Sequence, residues 1–152
     1  MSRSSLHAGV SRGVAGRLHS PGVDARDLAA AAAARGYGVQ RVLIDPTAEE
    51  FLTELRRGPT LITFSGHGRP GTWCFADREL PLTEVIALLP RDEPVCVVSD
   101  ACHSRHAPWP PNVTLLAPPA PLALDGRGKN TRSPFTAALI REWLRVRSGN
   151  LT

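Results

Sequence analysis

The sequence predicts an α/β protein built around a mainly parallel sheet. Short β-branched runs alternate with helical stretches, the pattern of strand–helix–strand crossovers. Two of those runs, 60–65 (TLITFS) and 95–99 (VCVVS), are nearly continuous in apolar residues, as strands covered on both faces are. The length of 152 residues fits one domain, 1–152, with enough chain to bury a core without disulfide staples.

The elements follow in order. Residues 6–10 form a first strand. Residues 24–35 hold six consecutive alanines behind an acidic first turn and before Gly36 and Gly38, which reads as a helix with a glycine stop. Residues 39–45 (VQRVLID) are a strand ending at Pro46. Thr47 and Glu50 make a capping-box pattern that opens a helix running to Arg57. The apolar strand 60–65 comes next, then a small hairpin over 73–80 around Asp77, then a helix over 83–89 stopped by Pro90. Strands at 95–99 and 113–117 precede a last helix over 133–146, with Ser133 as N-cap and Pro134 in its first turn. Pro108, Pro110 and Pro111, then Pro118, Pro119 and Pro121, punctuate loops rather than form a PxxP ligand, and 126–130 is a polar loop.

Composition narrows the function classes. The formal charge is +4 and the pI about 9.6, and Lys129 is the only lysine among 18 basic residues. The arginines are dispersed and aromatics make up 5%, so the basic patch with interleaved stacking residues of a nucleic-acid platform is missing. No apolar run is long enough to span a membrane, and no secretory leader is recognisable. Three cysteines at no framework spacing argue against a secreted disulfide scaffold and for a reducing, cytoplasmic setting.

In open α/β sheets, sites form beyond the carboxyl ends of the strands. One apolar strand runs into Ser65-Gly66-His67-Gly68 and the other into Ser99-Asp100-Ala101-Cys102-His103-Ser104. If these strands are neighbours, about 4.8 Å apart, His67 and Cys102 fall within side-chain reach. A cysteine needs a nearby base or a lowered pKa to act as a nucleophile, and His67 suits that role. The backbone N–H groups of Gly68 and Cys102 could form an oxyanion hole. Asp100 would either select a cationic substrate side chain or pair with one of the arginines. Cys96 reads as core and Cys74 as structural. His67, Cys74, Cys102, His103 and His106 include zinc-type ligands, but their spacing matches no common zinc motif, and no metal is expected. Neither Ser65 nor Ser99 sits in a G-x-S-x-G elbow.

Phe64-Ser65-Gly66-His67-Gly68 followed by Asp100-Ala101-Cys102-His103-Ser104 resembles the caspase-like cysteine peptidases, in particular the metacaspase and bacterial orthocaspase branch. Gly22-Val23-Asp24-Ala25 resembles that family's G-x-x-D-A start of the first helix, and Ser133-Pro134-Phe135-Thr136-Ala137-Ala138-Leu139 its late G-x-F-T-x-A-L helix. The related CHAT branch has a different tail after its cysteine. The resemblance implies a caspase–hemoglobinase fold, a mainly parallel sheet of about six strands flanked by helices. It implies His67 as general base or acid, Cys102 as nucleophile, and oxyanion donors from Gly68 and Cys102. It places Asp100, Ser65 and Asp24 in the substrate pocket, which favours peptide or protein substrates cut after Arg or Lys. No cofactor is required; calcium activates many metacaspases, and no acidic cluster for it is evident. Arg105 replaces the family's glycine after Cys-His-Ser, and the loop after the cysteine is short, which leaves a non-catalytic binding module, or a dyad used for acyl transfer in peptide maturation, as alternatives.

Overall fold

The protein is described here from a computed structural model covering residues 3–119, 123–128 and 130–146; Pro121 and Lys129 of the two expected loops lie outside the described residues. In chain order the elements are β1 (Ser4–Gly9), β2 (Arg12–Gly13), β3 (Gly16–Arg17), α1 (Pro21–Ala34), β4 (Gly38–Ile44), α2 (Ala48–Leu55), β5 (Leu61–Ser65), β6 (Gly68–Arg69), β7 (Thr72–Cys74), β8 (Glu79–Pro81), α3 (Leu82–Leu88), β9 (Val95–Asp100), β10 (Val113–Leu116) and α4 (Pro134–Arg145).

Five strands form the central sheet in the order β10-β9-β5-β1-β4, and every neighbouring pair is parallel. The chain lays β4 on one side of β1 and then β5, β9 and β10 on the other. The build direction therefore reverses between β1 and β5, and crevices for ligands open at such a reversal, beyond the carboxyl ends of the strands. Alternate side chains enter two apolar layers. Ile62, Phe64, Val95 and Val97 face a core with Phe51, Leu55, Trp73 and Phe75. Leu61, Cys96 and Val98 face Leu28, Ala32, Ile140 and Trp143 of α1 and α4. Phe64 stacks on Trp73 at 4.5 Å between centroids. The two-sided burial of β5 and β9 is what their unbroken apolar runs imply.

The helices start and stop for identifiable reasons. Thr47 caps α2 by accepting the Glu50 N–H at 3.1 Å, and Asp77 of the hairpin turn accepts the Ala48 N–H at 2.9 Å. Ser133 caps α4 by accepting the Thr136 N–H. The Arg35 guanidinium donates to the Trp143 and Val146 carbonyls at the other end of α4. Helix α1 begins at Pro21, three residues earlier than the acidic-turn reading places it, because the Asp125 carboxylate accepts the His19 and Ser20 N–H groups from far along the chain. The hairpin over 73–80 is real but larger than expected: β6 joins β7 and β8 in a small antiparallel sheet. The ribbon of β2 and β3 has no apolar alternation to announce it. The main sheet has five described strands where the resemblance implies about six. No helix among the described residues is long and apolar enough to cross a membrane.

Candidate active site

The register of the sheet builds the site. Ser65 pairs with Asp100 on the parallel β5–β9 rung, so His67 and Cys102 each stand two residues beyond the same level. The loops stay in contact past the strands, since the Gly66 N–H donates to the Asp100 carbonyl at 3.3 Å. A Cβ at position 68 would come within 2.3 Å of the Cys102 carbonyl oxygen, so only glycine permits this approach. The β6–β7 ribbon fixes His67 from the other side: the Cys74 N–H donates to the His67 carbonyl at 3.0 Å. Hydrogen-bonded and non-bonded rungs alternate in antiparallel pairs. The following rung, Gly68 with Trp73, is then of the non-bonded kind, and its Gly68 N–H faces away from β7.

Behind Cys102 a polar network holds the turn. The Ser104 hydroxyl donates to the Ala101 carbonyl at 2.6 Å and lies 2.7 Å from the Ser99 hydroxyl, which accepts from the Trp73 indole at 2.9 Å. Trp109 donates to the Ser104 carbonyl at 3.0 Å. His103 takes a left-handed backbone, φ 58°, which turns the chain sharply after the cysteine. The Ala123 N–H points at the Cys102 sulfur, 3.4 Å away. Cys102 is partly exposed, whereas Cys74 and Cys96 are buried free thiols. Burial pushes the Cys96 thiol up to about 12, and burial followed by the Glu79 charge raises that of Cys74.

One cavity of about 110 Å³ gathers Cys102, His67, Ser65, Asp24, Asp100 and Ser133. That is several times the space one water needs. Two of its three carboxylates, Asp24 and Asp100, are buried and tied into a single chain of hydrogen bonds; the third, Asp125, is half-buried. Ser65 donates to one Asp24 oxygen at 2.7 Å and the Ser133 N–H to the other at 3.0 Å. The Ser133 hydroxyl donates to Asp100, which also accepts from the Thr136 hydroxyl at 2.8 Å. Burial pushes the Asp24 carboxyl up to about 6, against the bonds from Ser65 and Ser133, and the Asp100 charge adds to the rise. Asp100 is raised as well, by burial first, against its bonds from Ser133 and Thr136. Neither carboxylate has a cationic partner among the described residues.

The predicted dyad and pocket residues lie together beyond the carboxyl ends of β5 and β9. His67, Cys102, Ser65, Asp100 and Asp24 share the cavity, and Gly68 abuts Cys102. Among the described residues Asp100 pairs with no arginine. Arg105, whose charge could have neutralised that pocket, instead donates to the Ala117 carbonyl at 3.1 Å, at the end of β10. The zinc-type residues do not converge: among the described residues no three His, Cys, Asp or Glu side chains could hold a metal ion. His103 and His106 meet edge to face, 5.2 Å apart. Sequence reasoning missed the second task of Ser133 and Thr136. Their helix-capping pattern was legible, but not that the cap also bonds two aspartates far away in the chain.

The fold is caspase-like. Caspase-1 from Spodoptera frugiperda superposes with a TM-score of 0.77 over 95% of this chain and 69% of its own, at 16% sequence identity. Protein GSU0716 from Geobacter sulfurreducens matches 68% of this chain at 27% identity, with a TM-score of 0.59. This chain covers 52% of the Geobacter protein, about half its length. No protein-family model and no curated protein matches the chain.

Proposed function

We propose that this chain is a cysteine endopeptidase that cuts peptide bonds after Arg or Lys. The observation that carries the proposal is the composition of the cavity: it is lined by a partly exposed thiol, an imidazole and two buried carboxylates that have no cationic partner among the described residues. Burying an unpaired carboxylate is costly, and a guest guanidinium or ammonium would offset that cost with charge-assisted hydrogen bonds. A guest carboxylate would add to the repulsion, so cleavage after Asp is disfavoured.

The chemistry follows from the placement. His67 takes the proton of the Cys102 thiol, and the sulfur attacks the carbonyl carbon of the scissile bond. In this reading the Gly68 and Cys102 N–H groups donate to the oxyanion that forms. The C–N bond then breaks, the leaving nitrogen takes the proton from His67, and a thioester remains on Cys102. Water, giving a proton to His67, attacks the thioester. The C–S bond breaks, the proton returns to sulfur, and the acid product leaves.

The test is a panel of fluorogenic peptides with Arg, Lys, Asp or Asn before the scissile bond, run with and without calcium. The expected result is turnover of the Arg and Lys peptides only, abolished by Cys102→Ala and by His67→Ala. Turnover after Asp would keep the dyad and overturn the pocket assignment. No turnover of any peptide would overturn the peptidase reading and favour a binding module.

A further inference from the structure

We propose that the β2–β3 ribbon forms a second substrate subsite, one that takes an acidic side chain of the peptide near the residue held in the carboxylate pocket. The proposal rests on the peptidase reading and extends it to substrate sequence.

Arg12 and Arg17 are directly opposite each other in the antiparallel ribbon, so their side chains leave the same face. Like charges placed this way repel and destabilise a two-stranded ribbon. Neither guanidinium has an ion-pair or hydrogen-bond partner among the described residues, while Arg69 pairs with Glu79 and Arg132 with Asp27 elsewhere on the surface. The nearby acids do not relieve them. Asp45 accepts the Ser11 and Arg12 N–H groups at 2.7 and 3.0 Å, and Asp125 accepts those of His19 and Ser20. Both carboxylates are taken up by backbone amides and lie beyond ion-pair distance of the two guanidiniums.

The two arginines, with His19, line a depression of about 350 Å³. Leu18 lines both this depression and the catalytic cavity, so the two adjoin. The ribbon also borders the dyad: a Cβ at Gly16 would stand 3.9 Å from the His67 Nε2 atom. A peptide whose basic side chain fills the carboxylate pocket therefore passes within reach of two uncompensated guanidiniums. A Glu or Asp carboxylate there would accept hydrogen bonds from both and relieve their repulsion. The selected substrate class is a peptide with a basic residue at the cut and an acidic residue close to it. Charge of one sign in one pocket and of the opposite sign in its neighbour also fixes the direction in which the peptide lies.

The test uses the full chain and quenched peptides with a single Arg at the cleavage position. One Glu is walked through the flanking positions, each peptide compared with its Gln twin. At one position Glu should raise kcat/KM by about fivefold, an advantage that shrinks with added salt. Reversing both charges, Arg12→Glu with Arg17→Glu, should invert the preference so that a Lys twin is cut faster there. A Glu-to-Gln ratio near one at every position, or a ratio untouched by the charge reversal, would overturn the subsite while leaving the peptidase reading intact. If no peptide is cut, the peptidase reading fails on its own. The subsite is then judged by binding of the same peptides to Cys102→Ala: tighter binding of the Glu peptide, inverted by the charge reversal, supports it, and equal binding overturns it.

Discussion

The three thiols of the chain sit in different surroundings, and their reactivities should differ accordingly. Cys96 and Cys74 are buried with raised pKa values, while Cys102 is partly exposed with an N–H donor on its sulfur. An alkylating reagent in limited amount should therefore label Cys102 at least about tenfold faster than either of the others, as read by peptide mass mapping. Equal labelling of all three in the folded protein would contradict this placement. Asp24 gives a second prediction. Its folded pKa of about 6 lies above the ordinary 3.8. The native state thus holds that proton more tightly than the unfolded chain does. The associated stability is present below about pH 4 and is lost as pH rises through about 6. Asp24→Asn keeps an oxygen for the Ser133 N–H and removes the charge. Chemical denaturation should find it more stable than the parent at pH 8, by up to roughly 3 kcal/mol, and no more stable at pH 4. Its turnover of Arg peptides should fall by more than about tenfold. A residue that costs stability and supports binding is what a functional pocket contains.

The elements converge on the site through close backbone contact, and Gly68 is the narrowest point. Gly68→Ala places a methyl group against the Cys102 carbonyl and the Ala101 side chain, so the loop that carries His67 must move away from the thiol. Displacements near 1 Å can cost about a hundredfold in rate. The expected outcome is a loss of that order in kcat/KM with an unchanged far-ultraviolet circular dichroism spectrum; full activity would show that the two loops need not touch. Much of this element-level order was legible in the sequence. The unbroken runs ending at Ser65 and Ser99 marked two buried strands; their adjacency comes from the fold, and parallel pairing then brings His67 and Cys102 to one end of the sheet. The Thr47 and Ser133 caps were legible because a cap is a local pattern. The start of α1 was not legible from its acidic turn, because Asp125 supplies an anion from about a hundred residues away; only the resemblance over 22–25 pointed near it. The β2–β3 ribbon was missed because two-residue strands carry no periodicity. The Asp24–Ser133–Asp100 connection was out of reach for the same reason as the α1 start: it is made by folding alone.

At the scale of the whole molecule, buried polar groups set opposing pH dependences. His7, on β1, is fully buried, with its ring nitrogens 2.8 Å from the Thr63 hydroxyl and 2.9 Å from that of Ser5. Burial lowers its pKa from 6.5 to about 4. Its contribution to stability is present above pH 6.5 and is lost as pH falls through about 4, roughly 3 kcal/mol in all. Asp24 works in the opposite sense over nearly the same range, joined by Asp100, whose carboxyl burial also raises, so the His7 arm is offset there. His7→Gln should remove one arm, leaving stability that falls from pH 4 to 6 in urea denaturation; a variant profile parallel to that of the parent would contradict the assignment. The caspase-like sheet is thus a frame that holds two loops, one cap and two unpaired carboxylates around a single thiol. The most direct test of that account is covalent capture with a peptidyl-arginine electrophile, read by intact mass and then by peptide mapping. One adduct is expected, on Cys102, formed at least about tenfold faster than with the aspartate-bearing analogue and lost in His67→Ala. No adduct, or labelling that ignores both the arginine and His67, would contradict it.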